Sequence, residues 1–272
     1  MRPRPSEQSE TSHGYGSTKF SKFDYRGAWM DNRSPGPPYL SWINEDSTEM
    51  LALADELDLA APVPTCPGWS LGDLVGHLFS AHRWVTSCVK AGTQAQQRDL
   101  PAAPSERTEL TAWARQALAE LLSVLWETSP NQLVWTPLRG PAPSIWWRRK
   151  AAVEAAIHRW DAHRAVREEP HPIAASLALA GIDEFSQDFL PPMLMSMPEP
   201  PPASTICLEP TDISDGRVLT LRETVGHEPA PHVRIRGTAS DLLLWMWNRI
   251  PPEHLKIEGD PSVAQWWRAL VI

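Results

Sequence analysis

The sequence predicts a two-domain α+β protein, an N-terminal four-helix bundle followed by a small C-terminal α+β domain. Apolar residues recur at helical spacing from residue 41 to about 190. Six prolines then crowd the stretch from Pro191 to Ser204, as in a linker. Beyond it the apolar residues fall into short runs with strand spacing. The length of 272 residues suits two modest domains.

Residues 1–40 are rich in Ser, Pro, Gly and charge and read as a flexible tail. The first helix covers residues 41–60, with Ile43, Met50, Leu51, Ala54 and Leu57 on one side, and the three prolines of PVPTCPGW stop it. A second helix starts at Ser70, which has capping-box spacing to Asp73. Leu71, Leu74, Val75, Leu78, Phe79, His82 and Val85 form its apolar stripe. A third helix fits residues 105–128 and a fourth residues 144–167, so that Pro-rich loops join four helices in a bundle over 41–190. Residues 173–190 add one more helix, and residues 191–204 form the linker. In the C-terminal domain, 205–272, strands are expected at 205–208, 218–222, 232–236 and 255–258. Thr238 and Asp241 cap a helix over 239–249, and Asp260-Pro261 opens the last helix.

Composition excludes several classes of function. With 42% apolar and 21% charged residues the chain is not disordered throughout. Its 25 basic and 33 acidic residues give a net charge of -8, so no basic field invites nucleic acid or an anionic membrane. No secretory or membrane-spanning apolar run is found. Cys66, Cys88 and Cys207 are widely spaced, without a C-x-x-C pair. A soluble protein of the reducing cytoplasm is expected.

The chemistry gathers on the fourth helix. Glu154 and His158 are four residues apart, about 40° around the axis, so both reach one ion. Trp147, Ala151 and Asp161 share their stripe, which makes Trp147 a candidate for lining a cleft. Asp161, one turn beyond His158, can orient its imidazole from behind. A third ligand has to come from another helix, and the second helix offers His77 on a flanking stripe and His82 on the apolar stripe. The residues alone leave both open, with His82 read as a hydrogen-bonded core histidine and His77 as half-exposed. Cys66 reads as structural, and Arg83 and Arg159 as cleft cations or interhelical ion pairs.

The segments PVPTCPGWSLGDLVGHLFSAHRWV, RRKAAVEAAIHRWDAH, RIRGTASDLLLWMWNRIP and IEGDPSVAQWW occur in this order. Over about residues 45–270 the chain resembles the mycothiol-dependent maleylpyruvate isomerase family, whose N-terminal domain is a DinB-like four-helix bundle. The resemblance implies a divalent metal, usually zinc, held by His77, Glu154 and His158. Two imidazoles and one carboxylate with an open fourth position make a catalytic zinc site. It further implies mycothiol as cosubstrate, with its sulfur activated at the metal to attack a small electrophile. In the isomerase itself that attack adds sulfur to the cis-alkene of maleylpyruvate, and rotation and elimination give fumarylpyruvate. Such a dianionic substrate needs cations, and Arg236 in RIRG is the candidate to reach the cleft from the second domain. The expected function is a metal- and mycothiol-dependent enzyme of isomerisation or S-transfer, with no catalytic group assigned beyond the metal-bound thiol. The alternative is a non-catalytic metal- or thiol-sensing binding protein on the same fold.

Overall fold

Helical periodicity becomes four long helices in the computed structural model, which describes residues 37–97, 101–166, 169–197, 201–202, 204–222 and 233–270. They are α1 (Tyr39–Glu56), α2 (Leu71–Lys90), α3 (Arg107–Glu127) and α4 (Ile145–Ala165). Of the expected tail, residues 1–36 lie outside the described residues, and Tyr39 and Leu40 already belong to α1. α1 and α2 each pack chiefly on α3 and α4, giving a square bundle. Ile43, Met50, Leu74, Leu78, Leu110 and Leu121 fill it, each at most 1% exposed.

α2 starts where its cap requires. The Ser70 hydroxyl accepts from the Asp73 N–H, and the Asp73 carboxylate accepts from the Ser70 N–H. α4 is buried on nearly every side. Ala151, Ala152, Ala155 and Ala156 let its neighbours approach, while its buried polar groups find partners. Arg148 donates to the carbonyls of Leu125 and Thr128, Arg159 pairs with Asp46 at 2.8 Å, and His163 lies 2.6 Å from Glu49.

Between α3 and α4 runs a hairpin that the sequence pattern does not predict, β1 (Leu133–Thr136) and β2 (Gly140–Pro143). Pro137, Pro141 and Pro143 argue against strands, yet a two-stranded ribbon has free edges where a missing N–H costs nothing. Gly140, at φ +67°, makes the turn. The helix expected over 173–190 is α5 (Ala175–Glu184), followed by a π-helical turn Phe185–Phe189 and α6 (Leu190–Ser196). Pro191 and Pro192 therefore lie inside a helix rather than after one, in a first turn that needs no N–H donors.

The C-terminal strands β3 (Thr205–Pro210), β4 (Arg217–Thr220), β5 (Val233–Gly237) and β6 (Lys256–Gly259) form one sheet in the order β4-β3-β5-β6. β3 and β5 run parallel, and the other neighbours are antiparallel. α7 (Ala239–Met246), capped by Thr238, packs on β3, β5 and α5, and α8 (Pro261–Arg268) follows a cap at Asp260. The α+β architecture is thus a helical N-terminal part followed by a C-terminal part with a sheet. All three cysteines are free, and no helix among the described residues is long and apolar enough to cross a membrane.

α5 docks through a glycine. A Cβ at Gly181 would stand 2.9 Å from Leu243 Cδ1 on α7 and 3.1 Å from Val153 Cγ1 on α4. Gly181→Val is expected to lower stability to urea unfolding by about 1–3 kcal/mol through overpacking. An unchanged midpoint would contradict this close approach.

Candidate metal centre

The packing of α2 against α4 brings His77, Glu154 and His158 to one point. His77 Nε2 lies 3.6 Å from Glu154 Oε1, and the two imidazoles stand edge to face with centroids 5.3 Å apart. One donor atom from each residue lies within 4.8 Å of the others. The ligands of a tetrahedral zinc ion lie about 3.4 Å from one another, given bonds of about 2.0–2.1 Å, so slight closure of the group suffices. Trp69, from the loop before α2, packs its ring 4.8 Å from that of His77 and fixes the imidazole from outside.

Charge prepares each ligand. Burial works to raise the Glu154 carboxyl, but Lys150, and then the His77 contact, hold it well below the usual carboxylate range. Lys150 Nζ sits 3.3 Å from Glu154 Oε2, leaving Oε1 to face His77. On the far side of His158, Nδ1 lies 3.1 Å from Asp161 Oδ2, which turns Nε2 to the cavity. Asp161 also accepts from Thr65 Oγ1 at 2.6 Å, from Cys66 Sγ at 3.5 Å and from Arg249 Nε at 3.1 Å. Burial alone would raise the Asp161 carboxyl, but the His158 hydrogen bond and Arg249 keep it at about 2.

The three residues open into a cavity of about 640 Å³. Trp69, Trp84, Trp146, Trp147, Phe189 and Trp247 line it, together with Leu138 of the hairpin turn, Lys150, Cys66 and Arg249. Burial, then the Asp161 charge, push the Cys66 thiol up to about 12, so it is neutral and a poor nucleophile near neutral pH.

The model of the mycothiol maleylpyruvate isomerase N-terminal domain matches residues 42–163, and that of the MDMPI C-terminal domain matches residues 176–265. The chain belongs to the mycothiol maleylpyruvate isomerase family. Two solved structures, of the mycothiol-dependent maleylpyruvate isomerase and of a histidine-to-alanine mutant of it, share its fold with TM-scores of 0.58. Their identities to this chain are 13% and 12%, over 81% of this chain and 91% of theirs. No curated protein matches.

In this family member, the residues singled out in sequence divide into two groups. His77, Glu154, His158 and Asp161 converge, and Trp147 lines the cavity, its indole N–H donating to the Trp135 carbonyl at 2.9 Å. Arg236 does not reach the cavity. On β5 Val233 and Ile235 face the core, so Arg234 and Arg236 face outward by the period of two, and Arg236 pairs with Glu209 at 3.3 Å. The arginine that the C-terminal domain brings to the cavity is Arg249. It follows Asn248, which stands at φ 55° in a turn where Arg249 N–H bonds Leu244 O and Asn248 N–H bonds Trp245 O. That is a Schellman end to α7, and Asn-Arg-Ile-Pro after the apolar run was its sequence signal. Arg83 and Arg159 act as interhelical pairs, Arg83 with Glu120 at 3.9 Å and Arg159 with Asp46.

His82 is buried in the core as its stripe predicts, but the expected hydrogen bond is missing. Neither ring nitrogen has a partner among the described residues, and the ring packs edge-on against Phe79. Burial pushes its pKa down to about 4. Between pH 6.5 and 4 the unfolded chain takes up a proton there that the folded chain refuses, so stability falls with acidification. Relative to His82→Leu, the wild type is expected to lose about 2–3 kcal/mol more between pH 7 and 4. Parallel pH profiles in chemical denaturation would contradict a buried neutral imidazole.

Proposed function

We propose that the chain is a mycothiol-dependent enzyme that binds one divalent ion, zinc, through His77, Glu154 and His158 and joins the thiol to a small electrophile by isomerisation or S-transfer. The carrying observation is the convergence of two imidazoles and one carboxylate on the wall of an accessible cavity. The donor set suits zinc, and with three protein ligands a fourth position stays open for a substrate. Mycothiol enters this reading from the name of the family and of the solved structures similar to the chain.

A divalent ion in this place supplies Lewis acidity that keeps an incoming thiol as its nucleophilic thiolate. The chain's own residues do the rest. Asp161 fixes the tautomer and tilt of His158, and Trp69 fixes His77. Lys150 holds one oxygen of Glu154 so that the other stays free to ligate. Cys66 remains protonated at the cavity wall, so the reacting thiolate comes from the cosubstrate. Free cysteines and a thiol cosubstrate both fit the reducing cytoplasm, and the partners are small molecules rather than nucleic acid or membrane.

Elemental analysis of tag-free protein is expected to give about one zinc per chain, lost in His158→Ala and in Glu154→Ala while helical circular dichroism stays unchanged. Consumption of mycothiol with an electrophile should stop on chelation and return with zinc. Absence of metal in the wild type, even after zinc is offered, would overturn the reading.

A further inference from the structure

A row of alternating charges leads from the surface to the candidate metal centre. It begins at Arg139 in the hairpin turn, 42% exposed, which meets Asp188 at 2.5 Å. Asp188, in the π-helical turn, also takes Arg149 of α4 at 3.0 Å and the indole N–H of Trp146 at 2.9 Å. Arg149 stands 3.3 Å from Glu184 at the end of α5. Lys150 joins Glu184, at 3.7 Å, to Glu154, at 3.3 Å. Glu184 and Asp188 are buried, whereas Lys150 lines the cavity beside Phe189, with its ammonium 5.0 Å above that ring.

Without an ion the row balances, with three cations, Arg139, Arg149 and Lys150, and three carboxylates, Asp188, Glu184 and Glu154. A divalent ion claims Glu154, and with a thiolate at the open position those three charges sum to zero. Glu154 then no longer offsets Lys150, so three cations of the row face two carboxylates among the described residues. Arg249 and Asp161 balance each other and leave this sum unchanged. Of the three cations, Lys150 is the one on the cavity wall. It can turn towards a ligand without orphaning Glu184, which keeps Arg149.

We propose that Lys150 binds one carboxylate of the electrophile, and that this anion site forms when a divalent ion takes Glu154. The inference rests on the metal-thiol reading and adds to it a residue and a linkage. Lys150 and Glu154 lie one turn apart on α4, so a carboxylate held by the ammonium stands next to the ion and its thiolate. Ion and anion then favour each other, because each occupies a charge that the other leaves unbalanced.

Two probes of the same shape, 3-phenylpropanoate and 3-phenylpropanamide, separate charge from apolar burial. Each is titrated by calorimetry into the full-length protein, metal-free and zinc-loaded, in 2-mercaptoethanol to fill the open metal position. Zinc content is measured on the same samples. In the zinc-loaded protein the carboxylate is expected to bind at least about tenfold more tightly than the amide, and in the metal-free protein within about threefold of it. By reciprocity, saturating carboxylate should tighten zinc binding by at least about tenfold where the amide does not. Lys150→Gln should lower the carboxylate to the affinity of the amide with zinc content and circular dichroism unchanged, whereas Lys150→Arg should keep most of the preference. A merely structural role for Lys150 would weaken both probes alike.

Equal binding of the two probes to the zinc-loaded wild type, or binding of neither, would overturn the proposal. So would a preference that survives Lys150→Gln or is as large without zinc. Failure of the wild type to take up zinc would overturn the metal-thiol reading and this inference with it, and the zinc content tells that failure from the others.

Discussion

The carboxylate of Asp161 has no solvent contact, and it is tolerated there because four groups converge on it. Thr65 and Cys66 reach it from the loop before α2, His158 from the preceding turn of α4, and Arg249 from the end of α7. A buried charge without such partners would be strongly destabilising, so these three segments are held in one arrangement. One consequence is structural, since the C-terminal part is tied to the bundle at the cavity wall. The other is chemical. The hydrogen bond that satisfies Asp161 also fixes His158, and the candidate site is shaped by the same contact that joins the two parts of the chain.

Much of this was legible in the sequence because local rules and tertiary demands agree there. Ser70 with Asp73 and Thr238 with Asp241 mark helix starts that the structure reproduces. Glu154, His158 and Asp161 share one helical face, so their proximity follows from spacing alone. Three features were not legible, each for a physical reason. The hairpin carries prolines that propensity forbids and free strand edges allow. α6 runs through Pro191 and Pro192 because they occupy its first turn. The choice between His77 and His82 depends on which side of α2 meets α4 and which meets the core. Periodicity placed His82 on the apolar stripe, where burial deprives it of partners, whereas the flanking stripe of His77 faces the cavity. The same kind of limit applied to the arginines. Arg236 was the expected arginine, but alternation along β5 turns it outward, and the Schellman turn after α7 brings Arg249 to the cavity instead.

Among the described residues, two donor groups share His158. His77, Glu154 and His158 form one, and Cys66, His158 and Asp161 form the other, each with donor atoms within 4.8 Å of one another. Electrostatics separates them. Arg249 Nη2 stands 3.6 Å from Cys66 Sγ and 3.2 Å from Asp161 Oδ2, so a cation in the second group would meet a guanidinium. In the first group the nearby Lys150 ammonium takes only Oε2 of Glu154 and leaves Oε1 turned towards His77.

X-ray absorption at the zinc edge, on zinc-loaded protein freed of small thiols, tests this most directly. The account predicts only nitrogen and oxygen neighbours, at about 2.0–2.2 Å, with imidazole scattering from two histidines. A sulfur neighbour at about 2.3 Å would place the ion at Cys66 and contradict the assignment of His77, Glu154 and His158 as its ligands.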